Sequence, residues 1–132
     1  MFSDNELAYL KSQKVARIAT VSKVGQPDLV PVVLEFDGTY FWVGSHGEEA
    51  RKYRNVLAGN NRVAITVDDV VSFNPWKTRA IRIYGTATIM EHNGLLGHGK
   101  YLRITPNLSW SFGLNPNPDR GHGWASTKTV HH

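Results

Sequence analysis

Arg51, Lys52 and Arg54 crowd the start of a short helical pattern, directly after the turn Ser45-His46-Gly47. Ala50, Tyr53 and Leu57 recur there at helical spacing as its apolar positions. Cations in a first helical turn face the positive end of the helix dipole and are mildly unfavourable. A bound anion reverses the sign, because free backbone N–H groups and cationic side chains then converge on it. The chemistry indicated is phosphate capture, with Arg51 as a bidentate donor and Lys52 as a point charge. The competing reading is a solvated helix face, partly neutralised by Glu48 and Glu49.

Other reactive side chains show less order. Asp68 and Asp69 are adjacent in a strand pattern and point to opposite faces, so they read as a strand-end turn rather than an acid–base pair. The 6 histidines show no metal-ligand spacing, and GxSxG, Walker and Rossmann motifs are absent. No metal site is expected, and no catalytic residue is assigned. Trp76, in the loop segment Asn74-Pro75-Trp76, can stack on a ring, pack across a subunit interface or cap the end of the fold. Trp42, Tyr84 and Trp110 occupy strand positions and read as core or interface.

The bulk properties bound the answer. A chain of 132 residues forms one domain with a real core. The formal charge of +4, from 15 basic and 11 acidic residues, suits an anionic small molecule. Apart from residues 51–54 the basic residues are scattered singly, which argues against a nucleic-acid stripe. With 0 cysteines there is no disulfide, thiolate metal site or cysteine nucleophile. No run of about 18 apolar residues predicts a membrane span, and the polar N-terminus does not read as a secretory signal. A cytoplasmic location is the default expectation.

Several elements must position the cation cluster. Ser3 and Glu6 form a capping box, with Phe2 and Leu7 as its hydrophobic staple, predicting a helix over 4–13 with Leu7 and Leu10 inward. Residues 15–22 alternate as a strand, 24–27 turn, and 29–36 return antiparallel. Asp37-Gly38 makes the next hairpin into a strand over 39–44. After the cationic helix, Gly59-Asn60-Asn61 is a stop signal. A fourth strand spans 62–68, a loop 69–77, and a fifth strand 78–90 with Gly85 as a bulge. Residues 92–99 read as an exposed Gly-rich loop, and 101–105 with 108–112 as a last strand broken at Pro106. The prediction is a mainly β domain over 1–114: a six-stranded antiparallel barrel with flanking helices. Residues 115–132, rich in Pro, Gly, Asn and Thr, are expected to be a flexible or loosely docked tail.

The segments FSDNELAYL, ARIATVSKVGQPDLVPV, RKYRNV, VAITVDD, NPWKTRAIRIYGTATI and YLRITPNLSWSFGL, in this order, resemble the pyridoxamine 5′-phosphate oxidase-like split β-barrel family. Within it they are most similar to the deazaflavin-dependent reductases, which use coenzyme F-420. The resemblance spans roughly residues 2–114. It implies an FMN-binding type of split barrel, homodimeric, with the cofactor in a cleft between subunits. Arg51 and Lys52 match the family's phosphate-binding pair. Gly44 and Ser45 would approach the ribityl chain and phosphate. Val30, Pro31 and Val32 would line the ring, and Trp76 would meet the partner chain or the cofactor. The implied activity is hydride transfer from coenzyme F-420, or alternatively FMN, to an activated double bond of a small organic substrate. A non-catalytic binder of a flavin-type cofactor is the further alternative. One departure bears on this. The oxidases carry charged residues at both ends of their second strand, whereas this chain reads Leu29-Val-Pro-Val-Val-Leu34. That shifts the expectation away from pyridoxamine-phosphate oxidation itself.

Overall fold

The computed structural model describes residues 1–44, 47, 49–114 and 126–132. The capping box starts the first helix: Ser3 Oγ accepts from Glu6 N–H (3.2 Å), and Ser3 N–H donates to Glu6 Oε1 (2.9 Å). This helix, α1 (Asp4–Ser12), ends where Gln13 turns extended. Phe2 and Leu10 are buried, and Leu7 packs against the same core. A cap of this kind is worth about 1 kcal/mol.

Seven strands follow: β1 (Val15–Val21), β2 (Pro27–Val33), β3 (Phe41–Gly44), then β4 (Arg62–Phe73), β5 (Trp76–Gly94), β6 (Gly97–Phe112) and β7 (Ser126–Val130). The second helix, α2 (Arg51–Leu57), lies between β3 and β4. Among the described residues the strands form one sheet in the order β2-β1-β4-β5-β6-β3, with β7 added to β6. Every pairing is antiparallel. The two ends of the order approach each other where Trp42 N–H donates to Glu35 O (3.0 Å) and Phe36 bridges to Phe41.

The inward face follows the alternation read in the sequence. Ala16, Ile18 and Thr20 of β1 are buried, and Ile65, Val67, Ile81, Ile83, Leu102 and Ile104 complete the core with Phe41. Each of these buried Ile, Val, Leu and Phe side chains contributes about 1.5–3 kcal/mol.

Four expectations are corrected. The loop predicted over 69–77 is the continuation of β4 and β5 into a tight hairpin. Asp69 pairs across the sheet with Arg79, which supplies the counter-charge a strand-embedded aspartate needs. The predicted loop 92–99 is likewise mostly hairpin, with Gly94 paired to Gly97. The break at Pro106 is a bulge in a continuous β6. Tyr84 pairs with Leu108 and Gly85 with Pro106, leaving Asn107 as the extra residue. Gly85 is required there, since a Cβ would lie 2.8 Å from Thr105 O and 2.7 Å from Ile104 Cγ2. Among the described residues the strand count is seven rather than six, because residues 126–130, within the stretch read as a tail, form β7.

Candidate functional site

Gly44 closes β3, and Gly47, at φ +97°, redirects the chain toward α2. Ser45, His46 and Glu48 lie outside the described residues. α2 begins after Ala50 with no side-chain cap and no acidic residue in its first turn. Its inward face is formed by Lys52, Tyr53, Asn55 and Val56, while Leu57 is 65% exposed and does not contribute to it. The apolar stripe read through Ala50, Tyr53 and Leu57 is thus rotated. The amide of Asn55 donates to Thr20 Oγ1 (2.9 Å), and both residues are buried, which pins the helix to β1.

The cation cluster divides. Arg51 is exposed, and Arg54 makes an exposed contact with Glu49 at 3.5 Å, a pair worth at most about 1 kcal/mol. Lys52 is only 7% exposed. Burial pulls its pKa down, partly opposed by the Asp28 carboxylate. Among the described residues Lys52 forms no ion pair. A desolvated ammonium in a helical turn without acids is electrostatically under-compensated, and an anion arriving there would restore the balance.

The β2 residues alternate. Val30 and Val32 turn toward the core, and Pro31 points outward opposite Arg17. The three therefore cannot present their side chains to one ring. The outward set, Val15, Val21, Leu29 and Val33, stays 36–65% exposed, an apolar strip across β1 and β2. Farther along the same sheet, Arg82 is stacked between Trp110 (4.2 Å to the ring centroid) and Tyr84 (5.5 Å).

Trp76 lies elsewhere. It opens β5, is 62% exposed, and sits 5.8 Å from the Phe73 ring. With Val71, Arg79, Phe112 and Gly113 it walls a cavity of about 360 Å³. Gly44 pairs with Tyr101, which pairs with Met90, so fourteen residues of β5 separate Trp76 from that level. At about 3.3 Å per residue this is roughly 45 Å of strand. Within one chain Trp76 is thus absent from the residues that wall the cavity beside Gly44 and Gly47.

A cluster that sequence reasoning missed surrounds the β5–β6 hairpin. His92 lies flat on Trp42, with ring centroids 3.8 Å apart and planes 7° from parallel. Its Nε2 is 2.6 Å from Glu35 Oε2. Asp37 accepts from the Trp42 indole N–H (2.7 Å) and from the N–H groups of Thr39 and Tyr40. Burial would raise its pKa, but these donors outweigh it and hold the carboxyl below the usual range. The only signal in the sequence was the Asx-type turn Asp37-Gly38; His92 is 57 positions from Glu35.

Residues 2–108 match the pyridoxamine 5′-phosphate oxidase family. The chain is 43% identical, over 96 residues, to a 5a,11a-dehydrotetracycline/5a,11a-dehydrooxytetracycline reductase of Streptomyces rimosus subsp. rimosus, covering 70% of this chain and 67% of that one. Its fold is similar to a haem-binding protein of Mycobacterium smegmatis, at 18% identity and a TM-score of 0.71, covering 98% of this chain and 59% of that one. It is also similar to an F-420 reductase, at 20% identity and a TM-score of 0.62, covering 77% and 93%. The structural likenesses speak for the fold alone, whereas the match over residues 2–108 and the 43% identity reach the sequence itself. On that ground the chain belongs to the pyridoxamine 5′-phosphate oxidase family.

Proposed function

We propose that the chain is an oxidoreductase that uses coenzyme F-420 to reduce an activated double bond of a small organic substrate. The observation that carries this reading is Lys52: a buried lysine in the first turn of α2, which has no acidic residue and follows the glycine turn after β3 in the chain. The residues fit the anionic end of such a cofactor. Lys52 would neutralise a phosphate from inside, Arg51 would clamp it from the solvent side, and Gly44 with Ser45 would offer close backbone approach. The name of the Streptomyces relative supports reductase activity, and the F-420 reductase of similar fold supports a deazaflavin.

When bound, the cofactor supplies the hydride, which leaves the protein the tasks of positioning and water exclusion. The backbone of β2, at the sheet edge, would flank the ring, with Val30 and Val32 holding that strand to the core. Two copies would pair through the apolar strip of β1 and β2, and the sheet would close as a split barrel where Glu35 meets Trp42. In such a pair Trp76 would reach the partner's cleft rather than the site of its own chain.

The alternative is the same site loaded with FMN, a reading favoured by the family match over residues 2–108. Titration of the protein with FMN and with F-420, followed by fluorescence quenching, separates the two. A Kd below about 100 µM, or roughly 5.5 kcal/mol, is expected for F-420. If neither cofactor binds in that range, the proposal is wrong. Reduction of a double bond by the loaded protein distinguishes an enzyme from a cofactor carrier.

A further inference from the structure

Two consecutive amides at the tip of the β5–β6 hairpin are each held by a side chain. Leu95 N–H donates to Glu35 Oε1 (2.9 Å), and Leu96 N–H donates to the Tyr101 hydroxyl (3.2 Å). That hydroxyl donates in turn to Gly97 O (2.6 Å). The second oxygen of Glu35 meets His92 Nε2, and His92 is fixed by the Trp42 stack and by the Tyr101 ring, edge-on at 5.0 Å. One carboxylate from the β2–β3 connection therefore grips both the base and the tip of the hairpin. Gly94 makes room for it, since a Cβ there would lie 2.6 Å from Glu35 Oε1.

What this clasp holds in place is Leu96. Its Cδ1 lies 2.7 Å from where a Cβ on Gly44 would stand, so the leucine covers the open face of Gly44. Leu96 also walls a cavity of about 310 Å³ together with Gly44, Gly47, His98 and Tyr101. Burial does not explain its position: Leu96 is 45% exposed and Leu95 66%. On the β6 arm the conformationally permissive positions are Gly97, at φ +90°, and Gly99, where an added Cβ would touch nothing, although both are paired to β5.

We propose that Leu96 is a gate over the cofactor-binding turn, latched shut by Glu35 and Tyr101. While latched, it covers Gly44, and the anionic tail of a flavin-type cofactor reaches that backbone only after the tip swings away. The gate rests on the cofactor reading above. Its thermodynamic consequence is a reduced apparent affinity, because only the open fraction is competent to bind. Its kinetic consequence is a slowed association with an unchanged dissociation rate.

The test uses FMN and F-420 as probes, with the wild type, Leu96→Ala and Glu35→Ala. Stopped-flow fluorescence gives the rates, and amide hydrogen exchange reports on Leu95 and Leu96. Both variants should associate about three- to tenfold faster, with Kd lowered in proportion. Glu35→Ala, which removes the acceptor, should accelerate exchange at Leu95 while core strand amides keep wild-type protection. Unchanged or weakened binding by Leu96→Ala, in a wild type that binds, overturns the gate and leaves the cofactor reading standing. Unchanged exchange at Leu95 in Glu35→Ala overturns the latch. If neither probe binds any of the three proteins, the cofactor reading fails and the gate falls with it.

Discussion

Asp69 faces Arg79 directly across β4 and β5, and the guanidinium holds both carboxylate oxygens, at 3.0 Å from Nε and 2.6 Å from a terminal nitrogen. The Tyr9 hydroxyl of α1 donates to the same carboxylate (2.8 Å), so one aspartate joins the first helix to the β4–β5 hairpin. Arg79 holds the Asp69 carboxyl below its usual range, against the opposing pull of burial and with help from Tyr9. An acid depressed in the folded state contributes stability above its unfolded pKa of about 3.9, and that stability is lost as pH falls through the folded value. Urea midpoints measured between pH 2 and pH 7 should therefore show a shallower acid limb in Asp69→Asn than in the wild type. Tyr9→Phe should cost about 1 kcal/mol at neutral pH.

Lys52→Met removes a buried ammonium and keeps its apolar stem. The protein without cofactor should be as stable as the wild type or more so, by about 1 kcal/mol, because the desolvation penalty disappears. Cofactor affinity should nonetheless fall at least tenfold, corresponding to about 1.4 kcal/mol. Thermal melts paired with cofactor titration check both halves. A variant that loses stability and keeps affinity would move the phosphate site away from α2.

Asn55 and Thr20 form a buried side-chain pair at 2.9 Å. Asn55→Ala strands the Thr20 hydroxyl and should cost about 1–3 kcal/mol. Thr20→Val should cost less than this in the Asn55→Ala background than alone, since the orphaned group is then gone. A double-mutant cycle by urea denaturation measures the coupling.

His131 follows β7, and its Nε2 lies 2.9 Å from the buried Ser109 Oγ. Burial lowers its pKa, the N-terminal amine and His132 act in the same direction, and Glu6 opposes them. A histidine depressed in the docked state favours docking above its free pKa of about 6.5, and that contribution is lost as pH falls through the docked value. Hydrogen exchange of the β7 amides should accelerate between pH 7.5 and pH 5.5 beyond the intrinsic rate change. His131→Gln, which does not titrate, should remove that excess.

Gly85→Ala places a methyl against backbone at 2.8 Å, where no flexible side chain can give way. The strain at the β5–β6 bulge should cost about 1–3 kcal/mol in chemical denaturation.

The β1–β2 hairpin was legible because Ala16, Ile18 and Thr20 alternate cleanly and are bounded by turn residues, whereas the third strand, read as continuing a meander, pairs with β6 and touches the segment after β2 at the Phe36–Phe41 bridge. The extensions of β4 and β5 were not, because Asp68, Asp69, Asn74 and Pro75 are all turn-formers locally. What holds Asp69 in its strand is Arg79 across the sheet and Tyr9, 60 positions away in sequence, while Asn74 and Pro75 are only the turn between the two long strands. The cationic helix was found from its spacing, yet the inward turn of Lys52 was hidden, since lysine stems bury only where the tertiary surroundings accept them. β7 carries β-branched residues in Ser126-Thr-Lys-Thr-Val130, but the Pro and Gly residues before it masked that signal. The Glu35–His92 clasp has no periodicity at all and became visible only once the sheet brought its ends together.

Pro27 and Pro31 both lie on β2, four residues apart, so their backbone nitrogens point the same way. β2 ends the sheet order with β1 on one side, and neither proline can donate to a neighbour. Those nitrogens therefore face outward, alongside the N–H groups of Leu29 and Val33. Half of the outward donors along this margin are missing while all four carbonyls remain. Such a margin offers a further strand only half of the usual donors, which disfavours edge-to-edge pairing along this exposed apolar strand. The same asymmetry leaves it better suited to a ligand that donates hydrogen bonds than to one that accepts them.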